Sequence, residues 1–309
     1  MNSSTLEDFI RDHRIIEELL RPRCKLIMVI GRSDTGKTTL VEHLAGFLSQ
    51  HTQLGIVDSD MGQSHIGPPT TIAWGRIKGV FKGWSEVEAE DFYFTGTTTP
   101  FGSLLPAVVG TRLIAGRALS SCRKVIVDTT GLVSGPAGRA LKQFKIDAVS
   151  PDMILALEIS HELDHILKAF QSGKRPKVRR IPVPAGVGVK STPVRSRRRF
   201  DLIASYLRGA GTLEVPYEYA ALRFMREPRG HDIAEIKNRV ISFRDEGNKD
   251  IALGVIDTLK LKEGKFLIRT PMRGDVKFSA LVIGNAEIDW GNSLLRERKR
   301  AHPIRCISL

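Results

Sequence analysis

The segment spanning residues 31–38 constrains this chain more than any other. Its sequence, GRSDTGKT, fits the pattern GxxxxGK[ST] completely. The apolar run of residues 25–30 before it predicts a buried strand, and the apolar spacing of residues 38–49 after it predicts a helix. A strand, a glycine-rich loop and a helix in this order predict backbone amides and a helix N-terminus that bind phosphate. We therefore expect a nucleoside triphosphate site.

Each residue type in this loop has an expected task. Lys37 is expected to contact the β- and γ-phosphates, and the Thr38 hydroxyl is expected to bind Mg²⁺. The predicted nucleotide-binding residues are Gly31, Ser33, Asp34, Thr35, Gly36, Lys37, Thr38 and Thr39. The loop alone does not say whether the chain transfers the phosphate or acts as a switch.

The rest of the chain predicts a two-part α/β organisation. Further strands are expected at residues 54–57, 124–127 and 153–157, with helices at 103–119 and 160–170. This alternation predicts a P-loop NTPase core, with a mainly parallel sheet and helices on both faces. After residue 211 strands are expected at 251–260, 265–270 and 276–283, with a turn at Gly264. We divide the chain into an N-terminal helix (1–24), a P-loop domain (25–211) and a small C-terminal β domain (212–309).

Two strand ends carry aspartates. In residues 57–63 (VDSDMGQ), Asp58 and Asp60 are two apart and would point the same way in an extended chain. Both could then face the γ-phosphate, one holding the metal and the other accepting a proton, with Gln63 orienting the nucleophile. The alternative is that Asp58 only caps a strand end and Asp60 only starts a turn.

Residues 125–131 (VIVDTTG) form the other acidic strand end. Asp128 resembles the metal-binding carboxylate that lies beside a P-loop. The DTTG sequence also resembles the DxxG turn of GTPases, which raises a GTPase as an alternative. The nearest match to a guanine-selecting NKxD element is Asn248-Lys249-Asp250, which has the wrong spacing. Guanine specificity is therefore weakly supported.

The positive charge is concentrated in one segment. The chain has 47 basic and 34 acidic residues, a net charge of +13, and ten of the cations lie in residues 174–199 without one acidic residue. Such a run predicts a polyanionic partner. The prolines in this segment predict a loop, which could be a catalytic lid with a nucleic-acid groove, an RNA tether or a solvated loop.

Trp74, Trp84 and Phe101 are expected in the core rather than as base-stacking platforms.

The sequence disfavours several other classes of protein. The three cysteines have no metal-ligand spacing, which argues against a zinc module or a disulfide framework. No apolar run approaches the length of a membrane span, and the first 20 residues are too charged for a secretory signal. We expect a cytoplasmic protein without a membrane partner, and the sequence identifies no protein partner.

The ordered set of motifs resembles the RNA 5′-hydroxyl kinases. This polyribonucleotide kinase family includes the kinase subunit of the mRNA cleavage factor and the ribosomal-RNA processing kinase. The resemblance covers roughly residues 25–290. Its elements are the P-loop, DSDMGQ (58–63), TGTTTP (95–100), TTGLV (129–133), PDMILAL (151–157), an RxxxR element in the basic segment, and ALGVI (252–256).

The resemblance implies a role for each matching position. Lys37 and Thr38 would bind ATP and Mg²⁺, with Asp58 and Asp128 as further metal ligands. Asp60, with Asp58 as rival, would be the base on the RNA 5′-hydroxyl. Arg195 and Arg199 match the lid arginines that stabilise the transferring phosphoryl group. The substrate-binding residues would be Gln63, Thr97, Thr98, Thr130 and Gly131.

Two departures from the family pattern matter. Leu132 stands where the family's substrate clasp has tryptophan, and leucine cannot stack on a base. The N-terminal β domain of larger members is not expected within the first 24 residues, so we expect a compact, stand-alone version. The sequence thus predicts an ATP-dependent kinase of RNA 5′ ends, with DNA as the other possible single-stranded substrate. Its alternatives are a catalytically silent ATP-binding scaffold, favoured by Leu132, and a GTPase switch.

Overall fold

A computed structural model describes residues 13–183, 192–219, 221–225 and 233–297. The contacts divide the chain into two units, residues 1–199 and 200–309. The strands of the first unit are β1 (Leu26–Gly31), β2 (Leu54–Ser59), β3 (Thr71–Arg76), β4 (Asp91–Phe94), β5 (Lys124–Thr129), β6 (Met153–Glu158) and β7 (Lys177–Pro182). The helices are α1 (His13–Leu20), α2 (Lys37–Leu48), α3 (Leu104–Ser121), α4 (Gly135–Val149), α5 (Asp164–Leu167) and α6 (Thr192–Tyr206).

The first sheet has the strand order β4-β3-β2-β5-β1-β6-β7. The five strands from β2 to β7 in this order pair in parallel, whereas β3 and β4 extend the sheet as antiparallel strands. Because the carboxyl ends of the parallel strands meet at one edge, the P-loop after β1 lies beside the acidic ends of β2 and β5. The register brings Asp58 of β2 opposite Asp128 of β5.

Strand β1 shows why helices cover both faces of this sheet. Its side chains alternate between two apolar clusters, with Ile27 and Val29 on one side and Met28 and Ile30 on the other. The first cluster includes the apolar residues of α1 and α2, and the second includes those of α3, α4 and α5. The predicted P-loop core, with a mainly parallel sheet and helices on both faces, is confirmed.

Several predicted elements differ from the observed ones. The basic segment is not one loop, because it contains strand β7 and the first half of α6. In β7 the buried Ile181 and the partly buried Val178 anchor the strand, and the charged residues between them obscured this pattern. The helix predicted at 160–170 is reduced to α5 and a 3₁₀ turn, Lys168–Phe170. The predicted N-terminal helix (1–24) is described as α1, His13–Leu20, and residues 1–12 lie outside the described part.

The second unit is built on another sheet. Its strands are β8 (Gly211–Pro216), β9 (Ala221–Phe224), β10 (Arg239–Arg244), β11 (Asp250–Lys260), β12 (Lys265–Thr270), β13 (Ala280–Asp289) and β14 (Leu294–Glu297). They pair antiparallel in the order β14-β13-β10-β11-β12-β8, and β9 pairs in parallel with β13. Gly264 makes the predicted turn with φ 64°. The strand expected at 276–283 begins only at Ala280.

The two units meet within α6 in the sequence. The division falls between Arg199 and Phe200, whereas the sequence places the start of the β domain at residue 212. Within the described residues, no helix combines the length and apolar character that a membrane crossing requires.

Candidate active site

The P-loop is a tight turn between β1 and α2. Gly36 has φ 87° and Asp34 has φ 62°, so both lie in the left-handed region, which a glycine adopts readily. The loop wraps around the carbonyl oxygen of Arg32, which accepts hydrogen bonds from Thr35 Oγ1 (2.9 Å) and Lys37 Nζ (2.6 Å). Burial lowers the pKa of Lys37, and the nearby carboxylates act in the opposite direction. The loop therefore holds a buried ammonium group beside the amino terminus of α2.

A cavity of about 320 Å³ opens at this loop. Ten of the predicted site residues line it: Ser33, Asp34, Gly36, Lys37, Thr38, Thr39, Asp60, Gln63, Asp128 and Gly131. Four further lining residues were not predicted: Glu42, His65, Thr129 and Arg198. Gly31, Thr35, Asp58, Thr97, Thr98, Thr130, Arg195 and Arg199 do not line it.

Asp128 lines the cavity from the carboxyl end of β5. Its Oδ2 atom accepts a hydrogen bond from Thr38 Oγ1 at 3.2 Å. Its Oδ1 atom is buried and has no hydrogen-bond partner among the described residues. Burial raises the pKa of Asp128 to about 6, with Lys37 opposing the shift. A buried carboxylate oxygen without a partner is suited to a cation.

Asp58 and Asp60 lie in different environments. The backbone amides of Asp60 (3.0 Å), His65 (2.5 Å) and Ile66 (3.1 Å) donate to the Asp58 carboxylate. Burial and the charge of Asp128 raise the pKa of Asp58 to about 7. The carboxylate of Asp58 thus holds the turn that follows β2.

Asp60 belongs to that turn and lines the cavity. Its Oδ1 atom accepts the backbone amides of Gly62 (3.0 Å) and Gln63 (3.1 Å). Strand β2 ends at Ser59, so Asp60 lies outside the strand that holds Asp58, and the two carboxylates have different hydrogen-bond partners.

The loop of residues 95–100 packs behind this acidic turn. A Cβ atom on Gly62 would lie 2.4 Å from the carbonyl oxygen of Thr98, so only glycine allows this approach. Thr97 and Thr98 are buried, and Thr97 Oγ1 donates to the carbonyl of Thr99 at 2.7 Å. In this arrangement these two threonines support the turn rather than line the cavity.

The aromatic residues divide between core and surface. Trp74 is buried, as expected. Trp84 is partly buried and donates to Glu42 Oε1 at 2.5 Å, and its ring lies 4.9 Å from that of His65. Phe101 is 69% exposed, so its expected place in the core is wrong. Apolar character alone could not reveal this.

Gly131, which follows β5, packs closely against the P-loop. A Cβ atom there would lie 2.2 Å from Ser33 Oγ and 2.4 Å from Ser33 N. The Thr130 hydroxyl is buried without a hydrogen-bond partner among the described residues. Leu132 is partly buried against the apolar core.

The arginines of α6 reach the P-loop in two ways. Arg195 Nη2 donates to Asp34 Oδ2, so this arginine contacts the loop through a carboxylate. Arg198 lines the cavity itself. The RxxxR pattern predicts Arg195 and Arg199 and does not point to Arg198.

Two buried lysines lie behind the site and were missed. Lys142 Nζ donates to Thr129 Oγ1 (2.7 Å) and to the Thr130 carbonyl (2.5 Å), and Lys145 donates to Ser59 Oγ. Burial lowers the pKa of Lys142 well below its usual value and lowers that of Lys145 to about 8. Both lysines lie on α4, which the sequence did not predict, although their spacing of three residues places them on one helix face.

A phosphate loop after a parallel strand, facing carboxylates at the ends of the neighbouring strands, defines a P-loop nucleotide-binding protein. The family can be given as well. The chain belongs to the family described as mRNA cleavage and polyadenylation factor CLP1 P-loop, whose model matches residues 31–209. Membership in this P-loop family implies the use of ATP.

Individual relatives agree with this assignment. The polyribonucleotide 5′-hydroxyl-kinase of Pyrococcus abyssi is 41% identical over 157 residues, which cover 50% of this chain and 44% of that protein. The enzyme of the same name from Pyrococcus furiosus is 35% identical over 210 residues, 68% of this chain and 58% of that protein. The matches thus span about half the length of these relatives.

The fold has a solved counterpart. The structure of wild-type Clp1p in complex with Pcf11p matches with a TM-score of 0.72, covering 92% of this chain and 79% of Clp1p. The sequence identity is 14%, so this likeness concerns the fold.

Proposed function

We propose that this chain transfers the γ-phosphate of ATP to the 5′-hydroxyl end of RNA. The observation that carries the proposal is the position of Asp60, which lines the same cavity as Lys37 and Asp128. The names of the relatives state this activity for those proteins. A cytoplasmic location and the acceptance of DNA belong to the same proposal.

Different residues of the site would carry the proton transfer and the charge stabilisation. Asp60 accepts the proton of the 5′-hydroxyl as its oxygen bonds to the γ-phosphorus. The bond between that phosphorus and the bridging oxygen breaks, and ADP leaves. Lys37 stabilises the charge that develops on the phosphate oxygens, with Arg195, Arg198 and Arg199 as the candidate lid cations.

Thr38 and Asp128 fit a magnesium ion. Their oxygens lie 3.2 Å apart, and Asp128 Oδ1 is buried without a partner among the described residues. Hydroxyl and carboxylate oxygens are suitable ligands for this hard cation. When bound, Mg²⁺ neutralises charge on the phosphate oxygens. Asp58 is the weaker candidate ligand, because backbone amides already occupy its carboxylate.

The test is transfer of label from γ-labelled ATP to a short 5′-hydroxyl RNA, with the same DNA sequence alongside. We expect labelled RNA, and we expect Lys37→Ala to reduce the rate to below about one-hundredth. A 5′-phosphorylated RNA serves as the substrate control, since it has no free acceptor.

The same assay separates the alternatives. Tight ATP binding without any label on RNA or DNA would support the scaffold that Leu132 favours. A clear preference for GTP over ATP in competition, with hydrolysis and no transfer, would support the GTPase. Either result would overturn the kinase proposal.

A further inference from the structure

A second cavity lies at the opposite edge of the first sheet. It has a volume of about 310 Å³ and is lined by residues that precede β1, β6 and β7, together with the end of α1. Since these strands are parallel and the P-loop follows the carboxyl end of β1, this cavity is at the amino edge. We call it the basic cavity because it contains five cationic side chains, those of Arg21, Arg23, Lys174, Arg175 and Lys177.

The two carboxylates of the basic cavity are already committed. Glu18 forms ion pairs with Lys177 and Arg179. Asp152 accepts the backbone amides of Lys25 (2.7 Å) and Leu26 (3.0 Å) and also pairs with Arg175 at 2.9 Å. Neither carboxylate is left to neutralise the other cations.

Three cations of the basic cavity therefore remain uncompensated. Arg21, Arg23 and Lys174 are exposed, and no carboxylate in the described part of the chain pairs with them. A buried lysine holds the backbone of the turn that carries Arg21 and Arg23. Lys124 is buried, and its Nζ donates to the carbonyls of Arg21 (2.9 Å) and Cys24 (2.6 Å). Clustered cations on a fixed backbone favour binding of an anion.

Strand β7 connects the two edges of the sheet. It is the edge strand, and it runs parallel to β6 from the basic cavity to the P-loop edge. Its cations are already paired, Lys177 and Arg179 with Glu18 and Arg180 with Glu158 and Asp164, so the strand sets the distance between the edges and adds no uncompensated charge. Six residues of strand span about 20 Å. A stacked nucleic-acid strand with a spacing of roughly 3.4 Å per nucleotide needs about six nucleotides to cover that distance.

We propose that the basic cavity binds internal phosphates of the RNA whose 5′ end occupies the P-loop cavity. The proposal rests on the proposed kinase function and extends it, because it makes affinity depend on the length of the RNA. A strand of four nucleotides reaches only about 14 Å and engages the P-loop cavity alone. A strand of 14 nucleotides engages both.

The test compares two charge variants on two RNA lengths. The first variant combines Arg21→Gln, Arg23→Gln and Lys174→Gln. The control removes three exposed cations of the second unit that likewise have no ion pair among the described residues, through Lys262→Gln, Arg273→Gln and Lys277→Gln. Thermal unfolding of both variants verifies that the fold is intact, and Arg23→Glu alone serves as a second, less disruptive variant.

We expect the first variant to raise KM for the 5′-hydroxyl 14-mer at least tenfold, with kcat and the KM of the 4-mer unchanged. Because each phosphate contact on a single strand contributes about 0.7 to the slope of log affinity against log salt, that slope should fall by about 2. The control variant should change the KM for the 14-mer and the salt slope by less than the first variant does. Equal effects on both RNA lengths, or none on either, would overturn the proposal.

Direct binding keeps this test separate from the kinase proposal. Fluorescence anisotropy of a labelled 14-mer measures the affinity whether or not transfer occurs. A loss of affinity confined to the first variant supports the basic cavity even if no RNA is phosphorylated. Unchanged anisotropy would reject the cavity as an RNA site.

Discussion

The Asp58 carboxylate accepts three backbone amides, whereas Asp60 lines the P-loop cavity. We expect Asp60→Asn to lower kcat by about 100-fold or more, since it removes the proposed base, with ATP affinity and thermal stability retained. Asp58→Asn places an amide group against backbone N–H donors and should cost about 1–3 kcal/mol of stability. Transfer assays and urea unfolding measure the two effects. An Asp58→Asn protein of normal stability that has lost transfer would reverse the assignment.

Gly131 and Gly46 provide a matched pair of glycines. A Cβ atom at Gly131 would collide with Ser33 of the P-loop, whereas one at Gly46 in α2 would meet no atom within 4 Å. We expect Gly131→Ala to raise the Kd for ATP at least tenfold. Gly46→Ala should leave ATP binding unchanged and stabilise the helix by about 0.5–1 kcal/mol. Calorimetric titration and thermal unfolding check both, and similar ATP affinities for the two variants would contradict the packing argument.

At the scale of elements, the loop of residues 95–100 ends at the exposed ring of Phe101. The loop contacts the acidic turn through Thr98 and Gly62, and Phe101 follows the loop directly in the sequence. A base stacked on an aromatic ring contributes about 1–3 kcal/mol. We expect Phe101→Ala to raise KM for RNA about tenfold with kcat little changed, and Phe101→Trp to restore binding. Phe144, which is 62% exposed on α4, is the control. Equal KM values for Phe101→Ala and Phe144→Ala would exclude stacking.

Helix α4 places Lys145 in a fully buried position beneath the carboxylates. Its pKa of about 8 in the folded chain lies below the ordinary value of 10.5, so the unfolded chain binds more protons between these pH values. Stability that depends on Lys145 therefore rises with pH across this window and is lost as the pH falls through about 8.

Lys145→Met removes this dependence while keeping a side chain of similar length. The difference in unfolding free energy between wild type and variant should shift by about 3 kcal/mol in favour of the wild type between pH 8 and 10.5. Urea unfolding across that pH range measures it. A pH-independent difference would show that folding does not lower the pKa of Lys145.

Local patterns predicted the P-loop, β1, α2 and the acidic strand ends, because adjacent residues supply their structure. The missed features depend on contacts distant in sequence. Lys142 and Lys145 donate hydrogen bonds to Thr129 and Ser59, which lie on other elements. The Asp58 carboxylate accepts the amides of His65 and Ile66, which lie seven and eight residues later in the sequence. No local spacing contains that information.

At the scale of the whole molecule, the basic segment is divided rather than continuous. Its first cations, including Lys174 and Lys177, lie at the amino edge of the sheet, whereas Arg195 and Arg198 lie at the P-loop edge. Strand β7 joins the two groups. A charge run that the sequence presents as one feature is therefore divided between the two edges of the sheet.

The second unit contains a buried ion pair whose loss should be confined to that unit. Arg244 donates to both carboxylate oxygens of Asp250 (2.8 and 3.2 Å), and both residues are buried. Removing one partner of such a pair costs about 3–5 kcal/mol, because the remaining charge loses its compensation. We expect Asp250→Ala to destabilise the protein by this amount in urea unfolding.

The second part of this prediction is that Asp250→Ala leaves ATP binding unchanged. Every residue that lines the P-loop cavity lies in residues 1–199, so the Kd for ATP of folded Asp250→Ala should stay within about twofold of wild type. Asp257→Ala is the control, because its partner Arg269 is 43% exposed and the pair should contribute less than about 1 kcal/mol. Weaker ATP binding by folded Asp250→Ala, with Asp257→Ala unaffected, would show that the β unit shapes the nucleotide site and that the two units are energetically coupled.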